Sequence, residues 1–77
     1  MSIEHLVTMA NDIASYFASE PDHDQAVAGV RDHIRKFWDP SMRRKIIVHL
    51  RDHKGKGMHE LAREAIAQLA ESSSAAA

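Results

Sequence analysis

The chain has 77 residues, 44% of them hydrophobic, and no cysteine; this bounds it to one small domain and excludes disulfides, cysteine-ligated zinc, iron–sulfur ligation and thiol catalysis. The net charge of −1 hides an acidic stretch over residues 1–30 (five acids, no Lys or Arg), a basic one over 31–56 (nine bases, three acids) and an acidic remainder (one base, three acids). No run approaches the ~18 apolar residues of a membrane span and no basic-then-apolar leader opens the chain, so a cytoplasmic protein is expected.

The apolar spacing is helical along most of the chain. Ser2 is placed to cap a first helix, with Glu4 in its positive first turn. Ile3, Leu6, Val7, Ala10, Ile13, Ala14 and Phe17 follow at three- and four-residue steps, and Met9 and Tyr16 widen that stripe. Pro21 ends the segment, because the residue before a proline is pushed out of helical geometry. Asp22 or Asp24 caps a second helix with Ala26, Val27, Val30, Ile34 and Phe37 on its apolar face. Gly29 weakens that helix by about 1 kcal/mol and leaves room for another helix backbone to approach. Asp39-Pro40 then pairs an N-cap with the residue favoured at the first helical position, predicting a third helix from about Pro40 to His53. Lys54-Gly55-Lys56-Gly57 reads as a flexible connection. A last helix is expected from about Met58 to Ala70, its face formed by Met58, Leu61, Ala62, Ala65, Ile66 and Leu69. The fold class is therefore all-α, a small bundle of about four short helices over residues 1–71, with a flexible Ser/Ala tail over 72–77.

Chemistry is sparse. The nucleophile candidates are serines near helix ends, and Asp22 and Asp24 read as helix caps. No glycine-rich loop follows a strand, so no phosphate cradle of the P-loop or dinucleotide type is expected. His49 and His53 lie four residues apart and share a helix face, a workable pair of metal ligands; His59 or Glu60 would have to complete the set. The pair lacks the glutamate that makes HExxH catalytic. The plainer reading packs His49 at the core edge, lets His53 help end its helix, and leaves His5, His23 and His59 in solvent. No catalytic, cofactor-binding or metal site is assigned to the chain.

The densest feature is the run from His33 to Arg44, which joins two aromatics, a helix break and a basic cluster. Phe37 continues the apolar stripe and reads as core. Trp38 sits one residue off that stripe beside cations, and an exposed indole in such company reads as a docking surface, since Trp and Arg are enriched at binding hot spots. The core is thin, with Leu, Ile, Val and Phe making up about a fifth of the chain. A partner is one of the ways a small domain makes up that deficit.

Met9-Ala10-Asn11-Asp12-Ile13-Ala14, Phe17, Pro21, Gly29-Val30 and, above all, the FWDPSMR string from Phe37 to Arg43, preceded by His33, resemble the delta subunit of soluble NAD-dependent formate dehydrogenase. The resemblance runs from about residue 5 to residue 50; Ser41 stands where Arg is more usual. It implies a cofactor-free, non-catalytic accessory subunit that docks on the catalytic (alpha) subunit and supports assembly, cofactor insertion or stability. The bis-pyranopterin guanine dinucleotide with molybdenum or tungsten, the iron–sulfur clusters, FMN and NAD are then expected on the partner subunits, with no nucleic acid and no membrane as partner. The expected partner-binding residues are His33, Phe37, Trp38, Asp39, Pro40, Met42 and Arg43. Two other readings stay open: a nucleic-acid-binding module built on the basic middle, which the acidic first thirty residues oppose, and a metal-binding or enzymatic domain.

Overall fold

The computed structural model describes residues 2–76, with side chains over 2–72. Four helices follow in order: α1 (Ile3–Phe17), α2 (His23–Phe37), α3 (Pro40–His53) and α4 (Glu60–Ala76), with no strand among the described residues. The first three begin on side-chain caps. The Ser2 hydroxyl accepts from His5 N–H at 3.2 Å, Asp22 Oδ1 from Gln25 N–H at 3.2 Å, and Asp39 Oδ1 from Met42 N–H at 2.9 Å. Of the two acids that open α2, Asp22 is thus the cap and Asp24 lies in the first turn, where the helix dipole favours it.

The last helix starts two residues later than its apolar pattern suggests. Met58 is buried but precedes the helix, and His59 holds the capping position. Its ring Nδ1 accepts from Leu61 N–H at 3.1 Å, and its carbonyl accepts the first helical bond from Arg63 at 3.0 Å. The helix backbone runs to Ala76. The side chains of residues 73–77, and with them most of the expected Ser/Ala tail, lie outside the described residues.

Helices α1 and α4 each pack against all three others, whereas α2 and α3 pack mainly on α1 and α4 and hardly on each other. The core collects Leu6, Val30, Ile34, Ile46 and Ile66 as its fully buried bulk. Ala10, Ala14, Ala26, Ala62 and Ala65 are buried beside them, so small side chains line the helix contacts and let the helix axes come close. No charged residue is buried among the described residues, so this small core carries no desolvated charge.

Gly29 makes room for a side chain rather than for a helix backbone. A Cβ built there would lie 2.5 Å from Phe17 Cδ1 and closer still to Cε1. The absent methyl is the space into which the Phe17 ring of α1 settles on α2.

The α3–α4 connection, expected to be flexible, is tied down. Lys54, Gly55 and Gly57 all take left-handed backbone angles, with φ of 57°, 68° and 84°. Lys54 and Gly55 end α3 by returning their N–H groups to the His49 carbonyl. From α1, Asn11 grips the other end: its Nδ2 donates to Gly57 O at 2.9 Å, and its Oδ1 accepts from His59 N–H at 2.7 Å. One amide side chain thus serves both backbone groups of the loop that enters α4, and His49 Nε2 lies 2.9 Å from Lys56 O.

Two glycines in this loop therefore differ in what they tolerate. At Gly55 a Cβ would meet Arg63 Cγ at 2.9 Å and Leu50 Cδ1 at 3.1 Å, whereas at Gly57 its nearest neighbour is Val7 Cγ1 at 3.7 Å. Gly55→Ala should cost about 2–3 kcal/mol, combining left-handed strain with crowding, and Gly57→Ala only about 1 kcal/mol from strain alone. Urea unfolding of the two variants followed by circular dichroism reads the difference; equal costs would contradict the crowding.

Candidate interaction surface

The FWDPSMR string forms the corner between α2 and α3. Helix α2 stops at Phe37, and Trp38 leaves helical geometry (φ −89°, ψ 141°). That change of backbone direction turns the indole inward, leaving Trp38 4% exposed in the core, while Phe37 is 67% exposed. The two aromatics thus exchange the places that helical periodicity assigns them. Ile34 is followed by a possible apolar position at both i+3 and i+4, and the break in the helix selects the second.

The rest of the string holds the corner. Asp39 caps α3, and Pro40 fills its first position, where no N–H is needed. Met42 is half-buried and packs against the core. Arg43 Nη1 donates to the carbonyls of Arg35 at 3.1 Å and Trp38 at 2.5 Å. The first belongs to the last turn of α2 and the second to the residue that ends it, where carbonyls lack partners within the helix. Of the seven expected partner-binding residues, Trp38 is withdrawn from solvent and Arg43 is engaged within the chain. Asp39 and Pro40 are exposed but set the turn, and His33 and Phe37 face outward together.

Those two begin an aromatic strip. The His33 and Phe37 rings lie 4.7 Å apart between centroids, and Lys36 Nζ stands 5.8 Å over the Phe37 ring. His33 also lines a shallow groove of about 400 Å³ with Asp12, Ile13, Tyr16 and Phe17 of α1. Tyr16, 77% exposed, meets Phe17 edge-on at 5.0 Å. Tyr16 and Ile13 enter the surface without having been singled out for it; the one signal was Tyr16 widening the α1 stripe beyond what the bundle covers.

The histidines are dispersed. The His49 and His53 rings are 5.6 Å apart, and among the described residues no three His, Cys, Asp or Glu side chains converge on a point that would hold a metal ion. His23 is exposed but approaches Glu64 of α4 at 2.5 Å, and His59 is the α4 cap. Much of the basic middle is also engaged internally. Arg31 bonds Asp32 at 2.9 Å and Gln68 at 2.6 Å, Arg35 lies 3.7 Å from the same Asp32, and Arg51 meets Asp52 at 3.1 Å. No helix of the described residues is long and apolar enough to cross a membrane.

Fold and surface together define a class: a small all-helical domain whose solvent-facing chemistry is an aromatic strip and a basic helix, with open grooves between helices. Within that class the chain belongs to the FdsD family, the delta subunit of NADH-dependent formate dehydrogenase, whose family model matches residues 5–66. It is thus a subunit of a formate dehydrogenase complex. No curated protein and no solved structure matches it significantly.

The exchange of Phe37 and Trp38 has a direct stability signature. Trp38→Ala empties the largest side chain from the core and should cost about 3–5 kcal/mol. That is comparable to all the stability a core of this size provides, so the variant should lose most of its helicity at 37 °C. Phe37→Ala should shift stability by no more than about 0.5 kcal/mol. Arg43→Ala, which strands the α2 carbonyls, should fall between them at about 1–3 kcal/mol. Thermal melts of the three variants rank them.

Proposed function

We propose that this chain is a cofactor-free, non-catalytic accessory subunit that docks on the catalytic (alpha) subunit of a cytoplasmic formate dehydrogenase and supports its assembly, cofactor insertion or stability. The observation that carries the reading is the aromatic strip in which Tyr16, His33 and Phe37 are exposed around the half-buried Phe17. The chain buries an indole and many small side chains yet leaves two of its four aromatic rings in solvent. Rings of this kind supply interface area at low entropic cost and are frequent hot spots. Family membership supports another subunit of a formate dehydrogenase complex as the partner of this surface.

On this reading the molybdenum or tungsten pterin, the iron–sulfur clusters, FMN and NAD reside on the other subunits. The chain has no thiolate to ligate a cluster. The corner residues then have a supporting part: Trp38, Asp39, Pro40, Met42 and Arg43 fix the angle at which His33 and Phe37 are presented. The nucleic-acid reading is less favoured, because Arg31, Arg35 and Arg43 are already engaged with Asp32 or with backbone carbonyls of the same chain.

Two measurements test the proposal. Removing the chain from its native host should lower the yield, metal and pterin content of the purified complex; a complex assembled without it at full content and unchanged turnover would refute the accessory role. Phe37→Ser and Tyr16→Ser, with helicity intact, should each weaken co-purification with the alpha subunit by about 2–4 kcal/mol, as hot-spot truncations do. Wild-type association of both variants would remove the strip from the interface.

A further inference from the structure

The outer face of α3 has a different chemistry. Only Ile46 of this helix is fully buried, and Val48, 41% exposed, is the one large exposed hydrophobic among the described residues that lies off the aromatic strip. Val48 and Arg44 together form a ridge with a groove on each side. One groove, of about 620 Å³, opens toward Ile3 of α1 and is edged by Lys45, His49 and His53. The other, of about 510 Å³, opens toward Ala67 and Ala70 of α4 and is edged by Ile47, Leu50 and Arg51. None of the residues lining either groove belongs to the aromatic strip.

We propose that this face is a second docking site and that its occupant is an acidic amphipathic helix of a partner protein. The shape argues for a helix. A row of apolar side chains at i, i+3, i+4 and i+7 can straddle a single Val48 ridge and enter both grooves, as ridges enter grooves where helices pack. The fourteen residues of α3 span about 21 Å, which matches three to four turns of a partner helix. The charge argues for acidity. Arg44, Lys45 and Arg51 flank the apolar floor; Asp52 is the only acid in α3, and its pair with Arg51 joins adjacent, exposed side chains, a contact that a partner carboxylate displaces at little cost. Carboxylates on either side of the partner's stripe would meet these cations, while a basic helix would be repelled. The apolar floor, with Val48 at its centre and Ile47 and Leu50 beside it, separates this face from a phosphate-binding one, which would present hydrogen-bond donors at this position. The site stands independently of where the aromatic strip docks.

The test uses the full chain, isotopically labelled, and a synthetic 14-residue helical peptide with leucines at i, i+3, i+4 and i+7 flanked by glutamates. Titration should perturb amide resonances around Ile3, Arg44, Val48 and Ala67 and leave Tyr16 and Phe37 unmoved. The exposed double variant Arg44→Glu/Arg51→Glu should bind at least about tenfold more weakly, a loss typical of reversed charge at an interface. A peptide with lysines in place of the glutamates should bind the double variant better than it binds the original chain. The proposal is overturned if the acidic peptide fails to bind, if the lysine peptide binds the original chain equally well, or if the shifts fall on the aromatic strip. It is equally overturned if a short DNA duplex binds the same face more tightly than the peptide does. A Phe37→Ser chain that still binds the peptide separates this face from the proposed contact with the alpha subunit.

Discussion

The indole of Trp38 under the α2–α3 corner is the contact on which the arrangement of the other elements turns. It is the largest side chain in the core, and it is delivered from a residue that is no longer helical. Several local devices make that delivery possible. Asp39 and Pro40 start α3 at once, and Arg43 satisfies carbonyls of α2 that the abrupt stop would otherwise strand. The backbone therefore leaves one helix and enters the next within two residues at little polar cost. Turning Trp38 inward also has an outward consequence, because it leaves Phe37, its neighbour, pointing to solvent beside His33.

A bundle this small must gain cohesion without bulk. Buried alanines on α1, α2 and α4 let the helices approach closely, and the missing side chain at Gly29 receives the Phe17 ring. Asn11 adds a polar latch where apolar area runs short, fastening the loop before α4 to the middle of α1. These contacts converge on α1 and α4, which occupy the centre of the packing, so α2 and α3 are left with one face inward and a broad face outward.

Those outward faces differ in kind. On α2, together with α1, it is aromatic and pairs tilted and edge-on rings with a shallow groove. On α3 it is basic around a single apolar ridge. The chain is a subunit of a formate dehydrogenase complex, and on the two readings proposed above both surfaces are covered by other proteins. The thin core is consistent with that, since surface buried against a partner supplies stabilisation that a core of this size cannot supply alone.

Helix number, helix order, the caps at Ser2 and Asp39, and the all-α class were legible in the sequence. They depend on local physics: a 3.6-residue apolar period, side chains that cap the nearest N–H groups, and prolines that cannot continue a helix. The family was legible as well, because Phe37 to Arg43 is a dense local string. Which of its two aromatics is buried was not legible. Periodicity allows both i+3 and i+4 after Ile34, and the choice falls to the backbone angle at Trp38, which the packing of α3 against α1 and α4 helps set. The Lys54–Gly57 turn reads as loose from its composition, yet its order comes from Asn11, more than forty residues away in sequence. Phe37 and Val48 carry no local mark of exposure, and Tyr16 is marked only by widening the α1 stripe. A residue's freedom at the surface depends on what other helices leave uncovered, and only the tertiary structure brings those helices together.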